Sequence, residues 1–447
     1  MAKHSENYAV SDFSAPHSRV WAIAGPAILA NSSAPLVGLV DTWAIGHIPD
    51  PVHLASVAVG SAVFSYIFWT LGFLRMGTTG FIAQAHGQGD VGLISRELVR
   101  ATLLGLALTV LILLLQEPLK NAMFQLLEVP STVSPLAEKY YDIRIWATPA
   151  TLFFLALNGF LIGTARTKAA LLLQLVLNIS NGLLNVWFVI GLNMGVTGVA
   201  LGTVIAEWLT VIVGMVMIAR YIGLFAFLKT FISEKTWQLS RFKRLFNING
   251  MIFLRTLMLL IAFVMVTIAS ARMGEEALAV SYVIQQYLML MSLGLDGFAY
   301  AGEALVGAAY GAKNQQAFTR WVRLTFFWAL ISGLFYAIIF WAYGEWITRF
   351  LTDIEVIRAE IIHLMPLVVL LPIASLWCYQ FDGIYIGMTA SNAMFGTMAV
   401  ALAVYLPAHY YLGELYGLTG LWLAIIVLMI SRGLTQFVWY QLRLKNF

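Results

Sequence analysis

The chain has 447 residues, of which 60% are hydrophobic and 11% charged, with a formal net charge of +4. An ordinary soluble domain carries about 25% charged residues, so this composition excludes a soluble globular protein. Apolar runs repeatedly reach the roughly 20 residues that cross a hydrocarbon core, and the short alternating segments of a membrane barrel are missing, so the fold class is an all-α polytopic membrane protein.

Residues 1–18 are polar and lack the apolar core and small-residue cleavage site of a secretory signal, so the first helix is expected to stay attached. Twelve spans follow, at 19–48, 52–85, 93–115, 136–164, 168–191, 195–220, 244–272, 276–310, 316–342, 358–388, 391–413 and 416–441. The chain then divides into a tail (1–18), a first lobe (19–220), an inter-lobe loop (221–243), a second lobe (244–441) and a second tail (442–447). Connections on one side are basic: Arg166 and Lys168; Arg220, Lys229, Lys235, Arg241, Lys243 and Arg244; Lys313, Arg320 and Arg323. On the other side the connection 343–360 carries Glu345, Asp353, Glu355 and Glu360. The positive-inside rule puts the basic connections and both termini in the cytoplasm.

The central loop is also the midpoint of a duplication. GFIAQAHGQGD (80–90) resembles ALVGAAYGAKN (304–314) at a shift of 224, and the same shift lays NGFLIGT (158–164) over DGIYIGM (382–388). A shift of 222 lays GVTGVAL (195–201) over GLTGLWL (417–423). Six spans per half start both halves on the same side, which makes them parallel repeats of the kind transporters rock against each other. Duplication could also serve only to build a stable bundle.

Intramembrane carboxylates are costly and by default functional. Asp41 lies about seven residues, or about 10 Å, below the outer end of the first span. The fifth span carries Asn185 to a similar depth, with Asn178 and Asn181 deeper on nearly the same face, and the sixth brings Thr203 to that layer with Glu207 one turn deeper. If these faces converge, Asp41 is either an acid whose charge changes with access to one side or a permanently hydrogen-bonded structural group. Pro26 and Pro35 fall in the same span and can give it two shapes. In the second half, Asp296 and Glu303 share a face of the eighth span and Asp382 sits on the tenth, with Arg255 as the natural counter-ion and Arg75 of the second span a further candidate. These acids form either an ion-paired network or a transport site. The single cysteine, Cys378, reads as a small core residue and excludes an intrachain disulfide. The Met- and Phe-rich composition suits a cavity that adapts to unrelated apolar molecules.

The segments GPAILANSSAPLVGLVDTWAIGH (25–47), LGFLRMGTTGFIAQAHGQGD (71–90), VWFVIGLNMGVTGVALGTVIAEW (186–208), LDGFAYAGEALVGAAYGAKN (295–314) and WCYQFDGIYIG (377–387) resemble the multidrug and toxic compound extrusion (MATE) family, most nearly its bacterial DNA-damage-inducible F (DinF) branch. The resemblance implies a twelve-helix inner-membrane antiporter of two six-helix lobes in a V, exporting cationic or amphipathic drugs against a proton or sodium gradient. It implies that Asp41 couples the ion, that the first helix bends at Pro26, and that Asn181 and Thr203 are hydrogen-bonding neighbours. Asp382 resembles an acid implicated in cation binding in a sister branch. Relatives often carry a second aspartate where this chain has Asn185, and a lone carboxylate suits a proton better than Na⁺, which wants several oxygen ligands.

The expectation is a proton-coupled multidrug antiporter in the bacterial inner membrane, working as a monomer on small-molecule drugs within the lipid bilayer, without cofactor, metal or nucleic acid. A sodium-coupled antiporter and a lipid-linked oligosaccharide or lipid flippase remain alternatives. A membrane enzyme finds no DDxxD, HExxH or GxSxG motif, and the seven histidines are dispersed.

Overall fold

The computed structural model describes residues 15–46, 48 and 50–444, so most of the first tail, His47, Pro49 and the last three residues lie outside it. Among the described residues every regular element is helical. In chain order they are α1 (Pro16–Gly46), α2 (Pro51–Thr70), α3 (Phe73–Gly87), α4 (Val91–Leu114), α5 (Gln116–Leu126), α6 (Ser134–Arg144), α7 (Thr148–Gly163), α8 (Thr167–Val186) and α9 (Gly195–Tyr221). Then come α10 (Leu224–Phe231), α11 (Leu239–Met273), α12 (Glu275–Gly311), α13 (Gln315–Leu351), α14 (Glu355–Gly387) and α15 (Ser391–Trp439).

Among the described residues, eleven helical segments are long and apolar enough to cross a membrane. The last of them, Ser391–Leu442, has 52 residues, about 78 Å at 1.5 Å per residue against a core of about 30 Å. It is broken at Gly417 (φ 57°, ψ −131°), a conformation open to glycine because it has no Cβ. The segment therefore makes two crossings, and the total is the expected twelve.

Three expected spans prove segmented or longer. The second is interrupted between α2 and α3 at Leu71–Gly72. In the fourth, a 3-10 turn at Ile145–Ala147 separates α6 from α7, which opens with Pro149 near its first position, where the missing N–H does no harm. The ninth runs on to Leu351. The inter-lobe loop contains α10, and α5 adds a short helix between two spans.

Two compact units form, one from residues 29–246 and one from 1–28 together with 247–447. Helix α1 is shared between them. Its early residues belong to the second unit, where Trp21 stacks edge-on against Phe298 and Trp328, and Gly297 leaves room for Ile28. From Leu29 onward it belongs to the first, where Val40 packs over Gly182.

The duplication is written into the backbone. Left-handed residues recur at matching positions: Gly89 with Lys313, Ala165 with Thr389, Gly195 with Gly417. Asp90 caps α4 by accepting from Leu93 N at 2.8 Å, and Asn314 caps α13 by accepting from Ala317 N at 2.9 Å. A Cβ on Gly159 would meet the Arg75 carbonyl at 2.6 Å, and one on Gly163 the Thr79 carbonyl at 2.8 Å. In the second repeat Gly383 and Gly387 lie as tightly on the carbonyls of Ala299 and Glu303. Each pair is 224 apart, so α3–α7 and α12–α14 cross through the same small-residue contact, the usual route to close packing where lipid offers no hydrophobic drive.

Candidate functional site

Asp41 is half-buried on α1 and its Oδ1 accepts from Asn185 Nδ2 on α8 at 2.6 Å. The same amide donates to Asn181 Oδ1 at 3.2 Å, Asn181 Nδ2 donates to Thr203 Oγ1 on α9 at 2.9 Å, and the Thr203 hydroxyl donates to the Val199 carbonyl at 2.8 Å. Three helices are thus joined by a chain in which every donor faces an acceptor, and such chains strengthen bond by bond in a low dielectric. Asn185 is fully buried and Asn181 nearly so. Gly202 makes the contact possible, because any Cβ there would collide with Asn185 Oδ1.

Asn178 does not join this chain. It accepts from Gln174 Nε2 at 2.8 Å and donates to Ser33 Oγ at 2.8 Å, which fastens α8 to α1 between Pro26 and Pro35. Glu207 is held elsewhere too, by Arg144 Nη2 at 2.5 Å and by the Thr151 hydroxyl. The Arg144 guanidinium also lies 5.3 Å over the Phe64 ring and 5.7 Å over Phe68. Asp41, Arg144 and Glu207 share one electrostatic neighbourhood around the buried Tyr140. Pro26 and Pro35 both sit within a continuous α1.

The second unit has a different cluster. Asp382 on α14 accepts from Arg255 of α11, from Arg432 of α15, and from Gln436 Nε2 at 2.7 Å. Both arginines are buried, as are Gln436 and Glu303. Asp296 acts from α12 on the Tyr379 hydroxyl of α14. The expected counter-ion role of Arg255 is therefore directed at Asp382. That acid now carries two guanidinia, which leaves it no free charge for a cation.

Arg144, Thr151, Arg432, Gln436 and Gly202 escaped the sequence reading. The two arginines were findable, since a cation inside a span is as expensive as an acid. The glycine was not, because what it makes room for comes from another helix.

Twelve apolar crossings built on a duplication, with buried acid–amide and acid–guanidinium networks inside them, define a polytopic membrane transporter rather than an enzyme. The MatE family model matches residues 26–188 and 251–411, one stretch in each repeat. The chain is 38% identical over 416 residues to the DNA damage-inducible protein F of Escherichia coli (strain K12), spanning 93% of this chain and 90% of that one. It is 27% identical over 374 residues to a probable multidrug resistance protein NorM of Pseudomonas syringae pv. tomato, spanning 81% and 78%. It superposes on the Vibrio cholerae MATE transporter VcmN in the bent form with a TM-score of 0.83 at 19% identity, over 96% of this chain and 97% of that one, which shows a common fold. The chain belongs to the MatE family of secondary transporters.

Proposed function

We propose that the protein is a proton-coupled antiporter that exports cationic or amphipathic small molecules across a bacterial inner membrane, with Asp41 as the group that takes up and releases the proton. The observation that carries this reading is the chain Asp41–Asn185–Asn181–Thr203. It fixes a half-buried carboxylate by one oxygen while part of the side chain keeps an opening. Burial penalises the charged form and the Asn185 amide favours it. A change of access that alters either influence changes the occupancy by a proton.

Coupling to shape follows from where α1 is divided. The division into units falls after Ile28, two residues past Pro26, where the ring deletes a backbone hydrogen bond. Protonation weakens the bond to Asn185, which frees the outer part of α1 from α8, and α1 bends at Pro26. Alternating access then exposes the substrate to either side, with both termini cytoplasmic by the charge of the connections. Sodium fits less well, because Asn185 turns a donor, not an oxygen, toward Asp41. The two repeats supply both lobes, so one chain suffices.

The test is dye efflux from liposomes holding the purified protein, driven separately by a pH gradient and by a sodium gradient. A pH gradient alone should drive efflux, and Asp41→Asn should abolish it. Efflux driven by sodium alone and unchanged in Asp41→Asn would refute the mechanism.

A further inference from the structure

We propose that the Arg255–Asp382–Arg432 cluster of the second unit is a binding site for a monoanionic headgroup, a carboxylate or a phosphate ester. Two guanidinia meet one carboxylate, so these three side chains sum to a formal charge of +1 among apolar helices, with Asp296, which acts on Tyr379, as a further acid of the neighbourhood. Arg255 is 6% exposed and Arg432 2%. Asp382 is hydrogen-bonded to both, and the Cys378 thiol and the Tyr379 hydroxyl lie close by. Neither of those offers a resting negative charge at neutral pH. A buried charge left without compensation costs several kcal/mol. A bound monoanion would bring the sum of the three bonded side chains to zero.

The hydrogen bonds tell the same story. The Nε atoms of Arg255 and Arg432 are buried and find no acceptor among the described residues. Native proteins leave few such donors unpaired, and each calls for a missing partner. Carboxylates and phosphates suit them, because the guanidinium fork matches two oxygens at once. Gln436 is pinned between Asp382 and the Tyr385 hydroxyl, which donates to its carbonyl at 2.5 Å, so one flank of the site is already rigid. The duplication shows that the cluster is not needed to build the fold. The first repeat makes the same helix crossings with Asn158 and Thr210 where the second has Asp382 and Arg432.

The experiment is calorimetric titration of the whole protein in neutral maltoside micelles. The probes are hexanoate and octyl phosphate, with hexyltrimethylammonium as the cationic control. The anionic probes should bind at the cluster, and the cation, a candidate for the transport path, should neither compete with them nor respond to changes in the cluster. Arg432→Gln should weaken anion binding by about tenfold or more, the loss expected for one charge-assisted bond. Asp382→Asn removes the internal anion and should tighten it, while Asp41→Asn should leave it unchanged. Acetate and inorganic phosphate form a second arm, and nanodiscs of phosphatidylglycerol against phosphatidylcholine a third. Binding in the second arm marks a free ion as the source, and a phosphatidylglycerol effect marks a lipid. If either arginine variant fails to fold, anion binding to the unaltered protein that hexyltrimethylammonium does not displace still decides. No anion binding, anion binding that the cation displaces, or anion binding that survives in Arg432→Gln overturns the proposal. Neither result bears on proton coupling at Asp41.

Discussion

The two polar clusters occupy halves of one duplicated scaffold and have opposite character. In the first unit the Asp41 carboxylate is met by one neutral amide, backed by a second amide and a hydroxyl, whereas in the second unit the Asp382 carboxylate is met by two guanidinia. Matching positions explain why. Asp41 corresponds to Met265, Asp382 to Asn158, and Arg432 to Thr210. Even where the geometry is repeated the chemistry is not. The Asn185–Asn181 pair of the first repeat returns as a His409–Tyr405 pair, 3.0 Å between Nδ1 and Oη, with the Tyr405 hydroxyl donating to Ala262 O. Duplication preserved the backbone contacts, which packing enforces, and released the buried polar groups to specialise.

The sharpest way to break this contrast is to neutralise each acid. Asp382→Asn strands two buried guanidinia and should cost about 3–5 kcal/mol of stability, read by thermal unfolding in the absence of added anions. Asp41→Asn strands no cation, because the nearby Arg144 is paired with Glu207. Its stability should change by about 1 kcal/mol or less while pH-driven efflux falls to that of protein-free liposomes. Equal destabilisation by both would erase the distinction between the clusters.

The shared crossings offer the next comparison. Gly159→Ala and Gly383→Ala both push a methyl group into a backbone carbonyl and should each destabilise by about 1–3 kcal/mol. If only one does, the repeats are not packed alike. Gly202→Ala should displace Asn185 by a similar energy and, unlike the other two, also impair coupling in the efflux assay. Gly250→Ala, with nothing within 4 Å, should leave the protein unharmed or stabilise it by up to about 1 kcal/mol.

The smallest effect concerns a group outside the spans. Lys120 on α5 is largely buried, which by itself would lower its pKa, but hydrogen bonds and charge from Asp142 and Glu117 outweigh that and raise it above 10.5. A raised lysine contributes stability below the unfolded value, lost as pH climbs through the folded one. Lys120→Met should therefore flatten the stability profile above pH 10.5 by less than about 1 kcal/mol, since both acids are mostly solvated.

Much of this was legible in the chain. Hydropathy and length gave the crossings, because each must satisfy its own backbone in lipid. The recurring shifts of 224 and 222 located the repeats. Depth counting brought Asp41, Asn185 and Thr203 to one layer, with Asn181 deeper on nearly the same face, because rise per residue is fixed. What depth cannot give is azimuth. Glu207, placed by the same counting, turns to Arg144 and Thr151, and Asn178 turns to Ser33.

The sequence by itself determined an all-helical, twice-repeated membrane protein with rare ionisable groups at known depths, since those features depend only on local geometry and the cost of polarity in lipid. Only the tertiary structure decided which of these groups meet. A second arginine from α15 converts Asp382 from an acid awaiting a cation into the minority charge of a basic cluster. A missing Cβ at Gly202 lets Asn185 reach Asp41. Both outcomes rest on how helices far apart in the chain rotate against each other, and that rotation is set by packing across the bundle.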